Sequence, residues 1–185
     1  NVLQEFKRQL NVEVGETILP GLSWEAEDGI IKLPFTISSG YVYQTIETAD
    51  PALGGRASYQ FNIVTPGNYI VKAVVDAPDG ASNSLFLNID SEPTSPTMIW
   101  DIPVTAGPEE RTASWRGNGS FDSPEFVPKL FSLAAGTHTL IIRGREANTR
   151  LDRIILELVS EPLSVKASGW AWIGANCTDS TETAC

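Results

Sequence analysis

Residues 133–159, LAAGTHTLIIRGREANTRLDRIILELV, constrain the fold more than any other stretch. Ala135-Gly136 marks a turn, and the next residues alternate. His138, Leu140 and Ile142 fall on one face, and Thr139, Ile141 and Arg143 on the other. A period of two over this length is a strand. Residues 144–150 are polar and read as a loop. A second strand follows from Leu151, with Ile154, Leu156 and Leu158 on one face. The pattern predicts a hairpin. The same period places Asp152 on the apolar face at the start of the second strand. A carboxylate entering a core is costly without a positive partner, so Asp152 calls for a cation.

The rest of the chain repeats this grammar. Ala57, Tyr59, Phe61 and Ile63 alternate with Ser58, Gln60 and Asn62, and Thr65-Pro66-Gly67 then turns the chain. Further strands are predicted over 69–75, 85–89, 98–104 and 111–115, each bounded by Gly/Pro turns. Residues 30–37 carry Pro34 and read as an edge strand or loop. Residues 117–128 form a Gly/Ser/Asn/Pro loop holding Phe121 and Phe126. One short helix is possible over 2–10, and no long segment has helical period. Short strands at near-regular spacing predict an all-β antiparallel sandwich of the jelly-roll kind. Three parts are expected: an N-terminal extension (1–21), the sandwich (22–159) and a C-terminal extension (160–185).

Composition closes off several functions. The chain has 185 residues with a formal net charge of −10, which argues against nucleic acid or an anionic membrane as partner. No apolar run is long enough to span a bilayer. The first ten residues lack the apolar core of a signal peptide, so any such leader is already removed or lies outside this sequence. The two cysteines, Cys177 and Cys185, are either a bridge stapling a short terminal loop or two free thiols. The bridge is the favoured reading and implies an oxidising, extracellular setting. Catalysis is not expected. The single histidine, His138, follows a turn in a strand, and neither a zinc-type cluster nor a Gly-x-Ser-x-Gly elbow is present.

Glu25, Glu27 and Asp152 are the strongest constellation. Residues 24–28, WEAED, read as a short strand with both glutamates on one side. If the terminal strands meet, three carboxylates without thiol or imidazole suit calcium. The alternative is a solvated acidic edge, with Asp152 paired to Arg150 or Arg153.

The order EAED, GYVY, PGNY, AGTHTL and LDRIIL resembles the carbohydrate-binding modules of families 6 and 35, over roughly residues 22–158. The resemblance implies a calcium-containing β-jelly roll of the galactose-binding type. It implies that Glu25, Glu27 and Asp152 are ligands of a structural calcium. It also implies a sugar site in loops at one end of the sandwich, here Tyr41 or Tyr43, Trp115 and Asn148. The physics agrees, because a pyranose packs its C–H face on an aromatic ring and needs directional partners for its hydroxyls. Arg145, Glu146 and Arg150 could add hydrogen bonds, and arginines suit an acidic sugar. Trp115 also reads as a core tryptophan at a strand end. Trp24 and Trp100 read as core. Trp170 and Trp172, outside the resemblance, share one strand face and read either as an exposed platform or, the favoured reading, as packing the tail onto the sandwich.

The function expected is a secreted, non-catalytic module that tethers to polysaccharide or oligosaccharide, stabilised by calcium. The rival is a structural or adhesive subunit of an extracellular assembly, self-assembling through strand exchange by its termini.

Overall fold

The computed structural model describes residues 22–117 and 126–159. The possible helix over 2–10, the Trp170/Trp172 pair, Cys177 and Cys185 lie outside them, as do the termini proposed to exchange strands. In chain order the strands are β1 (Leu22–Glu25), β2 (Ile30–Lys32), β3 (Thr36–Ser38), β4 (Tyr41–Tyr43), β5 (Arg56–Ile63) and β6 (Gly67–Asp76). They continue with β7 (Ser84–Ile89), β8 (Ile99–Asp101), β9 (Glu109–Thr112), β10 (Phe131–Leu133), β11 (Gly136–Gly144) and β12 (Arg150–Leu158).

These strands form two sheets. One has the order β10-β6-β12-β4-β3, with β1 also on β12 and β9 also on β6. The other runs β2-β5-β11-β7-β8. Every strand pairing is antiparallel. The inner faces supply one core. Val71, Ala73, Val75, Leu151, Ile154 and Leu156 from the first sheet meet Tyr59, Phe61, Leu85, Leu87, Leu140 and Ile142 from the second. Each large aliphatic side chain sealed there contributes about 1.5–3 kcal/mol. The all-β sandwich predicted from alternation is the fold observed.

Three local expectations are corrected. The stretch 133–159 is not a hairpin: β11 pairs with β5 and β7, whereas β12 lies in the other sheet, between β6 and β4. Residues 145–149 cross between sheets. Nor does Asp152 enter the core. A bulge between Leu151 and Arg153 resets the phase, so Leu151 and Ile154 are both fully buried and Asp152 is extruded, half-buried. A bulge inserts one unpaired residue, and strict alternation cannot foresee it. Finally, WEAED is not one strand. β1 ends at Glu25 and a 3₁₀ turn takes Ala26–Asp28, so the two glutamates do not share a strand face.

The second sheet is also covered on its outer side. Phe86, Ile99 and Ile141 point away from the main core yet are at most 5% exposed. The segment after β7 is bonded to this face. Asp90 donates its N–H to Thr139, Ser91 accepts from Asn88, and Glu92 reaches Arg56 on β5 and Arg143 on β11.

Candidate functional site

The acidic constellation is partly assembled. The Ala26–Asp28 turn packs on β12 and β4, bringing Glu27 to the strand that carries Asp152. Oε2 of Glu27 is sealed from solvent without a hydrogen-bond partner. The Asp152 carboxylate has no hydrogen bond or ion pair among the described residues. Glu25 is engaged elsewhere: Nε and Nη2 of Arg153 donate to its Oε1 at 3.2 and 3.1 Å in an exposed pair. Among the described residues no group of three or more Asp, Glu, His or Cys stands close enough to hold a metal. An orphaned buried carboxylate oxygen, on a turn packed against the strand that carries a second unpaired carboxylate, offers hard oxygen donors of the kind calcium takes. Glu27 and Asp152 fit such an ion. Glu25 fits only if it leaves Arg153. The charges of Glu27 and Asp28 add to burial in pushing the Tyr59 hydroxyl far above its usual range, and that hydroxyl donates to the Ala26 carbonyl at 2.6 Å.

The predicted sugar residues separate into two groups. Tyr41 and Tyr43 flank Val42 on β4. Val42 is fully buried, so the two rings share the opposite, solvent-facing side. The Arg150 guanidinium lies 6.0 Å from one ring centroid and 5.8 Å from the other, and Nη1 of Arg150 donates to Asp76 at 3.1 Å. Asn148 is brought to the same end of β4. Its N–H donates to the Gln44 carbonyl at 2.8 Å, and it adopts a left-handed φ of 64°, leaving its side chain exposed. Asn is among the residues that tolerate that backbone.

Trp115 stands apart from this group, with its polar edge already used. Its indole N–H donates to the Leu87 carbonyl at 2.9 Å, its ring meets Phe131 edge-on, and the Lys129 ammonium sits 4.0 Å from its centroid. It packs half-buried against the core. Arg145 is likewise committed inward. Its Nη1 donates to Ser84 Oγ at 2.5 Å and to Glu146 Oε1, while Glu146 Oε2 accepts from the Asn83 N–H.

Gln44 organises this region. The side chain is fully buried. Its Oε1 accepts from the Gly55 N–H at 2.8 Å, and its Nε2 donates to the carbonyls of Ile46 at 2.9 Å and Arg145 at 3.4 Å. One amide therefore ties the loop after β4 to the loop before β12. The sequence also hides the buried pair Arg116–Asp101, in which two guanidinium nitrogens donate to the two carboxylate oxygens at 2.7 and 2.5 Å. The only available signal was a polar residue at or just past the end of a short strand, Gln44 after β4 and Asp101 at the end of β8.

No family model matches the sequence, and no curated protein matches it. Solved structures do. The Podospora anserina GH26-CBM35 β-(1,4)-mannanase aligns with a TM-score of 0.53 and 17% identity, over 76% of this chain and 28% of the mannanase. The CBM36-1 domain of a multidomain xylanase from the Trinervitermes trinervoides hindgut metagenome gives a TM-score of 0.51 and 10% identity, over 76% of this chain and 99% of that domain. The C-terminal CBM6 of a marine laminarinase from Zobellia galactanivorans gives 0.50 and 17%, over 74% of this chain and 98% of the module. The fold is that of the carbohydrate-binding modules which the sequence motifs resemble. The chain spans under a third of the mannanase and nearly the whole of each isolated module.

Proposed function

We propose that this chain is a non-catalytic carbohydrate-binding module of an extracellular protein, which tethers its parent to polysaccharide. One observation carries the reading. On the sandwich of known carbohydrate-binding modules, Tyr41 and Tyr43 stand side by side on the open face of β4, next to the Asn148 loop. Two adjacent rings offer the C–H face of a pyranose a surface, while Asn148 and Arg150 offer hydrogen bonds. The described residues contain no helix long and apolar enough to cross a membrane.

Calcium is part of the proposal. Glu27 and Asp152 would hold it, with Glu25 joining on release from Arg153 and nearby carbonyls completing the shell. The ion would supply a positive charge where buried and half-buried carboxylates lack one. It would tie the turn after β1 to the start of β12.

The test is a glycan array read with and without calcium, on protein of known mass in solution. Replacing Tyr41 and Tyr43 together by Ala is expected to weaken binding about tenfold or more with little change in melting temperature. Trp115→Ala is expected to lower the melting temperature first. Full binding by the double tyrosine variant, with loss in a still-folded Trp115→Ala protein, would move the site to Trp115.

A further inference from the structure

On the outer face of the second sheet, three basic residues stand in register on adjacent strands. Lys32 of β2 pairs with Arg56 of β5, and Arg56 pairs with Arg143 of β11. Residues directly opposite on neighbouring strands project to the same side, and like charges in that position repel. Among the described residues, Glu92 is the carboxylate that pairs with the two arginines. Its Oε1 accepts from Arg56 Nε and its Oε2 from Arg143 Nε, each at 2.8 Å. Burial pushes the Glu92 carboxyl up, but hydrogen bonds from Arg143 and Arg56 and their charges outweigh it and hold it below the usual carboxylate range. Glu92 thus pairs with two of the three cations and leaves Lys32 without an ion pair among the described residues, in a chain whose net charge is −10.

The arginines are not exhausted by Glu92. Arg56 Nη1 donates to Ser58 Oγ at 2.8 Å and Arg143 Nη1 to the Gly54 carbonyl at 3.2 Å. Nη2 of both has no partner among the described residues, and neither does the ammonium of exposed Lys32. A cavity of about 460 Å³ opens at the Arg143 end of the row. Pro51 and Pro93 are among its apolar lining residues, and Asp50, Thr94 and Ser95 among its polar ones. Glu92 and Arg143 line it too.

We propose that the cavity and the Lys32–Arg56–Arg143 row form a second binding site, for an oligosaccharide carrying carboxylate or sulfate groups. The inference rests on the binding-module reading and adds a ligand class and a face to it. A sugar ring in the cavity sets its C–H face against proline and its hydroxyls toward Thr94, Ser95 and Asp50. Its anionic group takes the free edge of Arg143, the planar fork that suits such oxygens. Three strands span about 10 Å, the reach of roughly two sugar residues, so a following acidic residue meets Arg56 and Lys32. Glu92 is a positioning residue, aligning both guanidiniums and leaving Nη2 of each free. The protein's overall negative charge does not forbid this, because charges beyond about 8 Å are screened at physiological salt.

The test is calorimetric titration with three oligosaccharides of equal length: uronate, sulfated and neutral. The expected result is binding of one or both acidic ligands that weakens as salt rises, with Arg143→Gln lowering that affinity about tenfold and leaving any neutral-glycan affinity unchanged. Lys32→Gln keeps the proposal testable should the arginine variant unfold, since Lys32 is exposed and unpaired. It should weaken acidic binding several-fold and leave melting unchanged or raised. Acidic binding untouched by both variants overturns the site. Binding of neutral glycans alone overturns it as well and leaves the module reading standing, whereas no glycan binding at all takes both down.

Discussion

His138 faces two acceptors at once. Its Nδ1 lies 2.6 Å from Asp90 Oδ2 and its Nε2 lies 3.0 Å from the Ala134 carbonyl. Only the imidazolium donates from both nitrogens. The hydrogen bond with Asp90, then that to Ala134, outweigh burial and raise the histidine above its ordinary 6.5. A raised folded value means the contribution to stability is complete below about 6.5 and is lost as pH climbs through the folded value. Asp90 has a left-handed φ of 64°, which Asn also accepts, so Asp90→Asn removes the charge without straining the turn. The carboxylate is half-exposed, so the expected loss is on the order of 1 kcal/mol, about 3 °C in melting temperature. The gap between wild type and variant should be widest near pH 6 and should narrow toward pH 9. Asp90 Oδ1 also accepts from the Thr139 N–H at 2.9 Å, and a gap that stays constant with pH would mean that Asp90 acts through that bond alone. The sequence showed His138 on a strand after a turn and gave no sign of Asp90, because the two meet across 48 residues.

At the scale of elements, alternation revealed most of the strands and not where they go. The period in 136–144 and 150–158 is real, and both are strands. Periodicity is local, however, and says nothing about which sheet a strand joins, so neighbouring strands were read as a hairpin. The bulge at Asp152 is a second kind of blindness, since one extra residue reverses every face after it. What moves β12 to the other sheet is the crossing built around Gln44, Gly54 and Gly144. A Cβ on Gly144 would lie 1.9 Å from Gln44 Oε1, and one on Gly54 would lie 2.0 Å from the Gly144 carbonyl oxygen. Neither neighbour can yield, because the amide is pinned by three hydrogen bonds and the carbonyl belongs to a strand end. Gly144→Ala is therefore expected to cost about 3 kcal/mol or more in urea denaturation, at the high end for overpacking. It should also displace Asn148 and weaken glycan binding in any protein that still folds. Wild-type stability in that variant would show that the two loops cross more loosely than the hydrogen bonds indicate.

For the molecule as a whole, the calcium proposal yields a change of sign. An excess of ten negative charges makes the compact state self-repelling. Glu27 adds a local cost, with a carboxylate oxygen sealed from water and unpartnered. Without metal, Glu27→Gln removes that charge and should raise the melting temperature. With calcium present the same substitution removes a ligand and should lower it, because an ion bound only to the folded state stabilises by about 2.7 kcal/mol at a hundredfold excess over Kd. The wild-type protein should then lose on the order of 7 °C on chelation. Asp152→Ala should melt at one temperature with or without calcium. A crossover in Glu27→Gln cannot come from a solvated acidic edge, where the substitution would have one small effect in both conditions. Parallel melting curves for wild type and both variants, with and without chelator, would return Glu25, Glu27 and Asp152 to that simpler role. Of the three, Glu25 alone would then have an ion pair among the described residues, with Arg153.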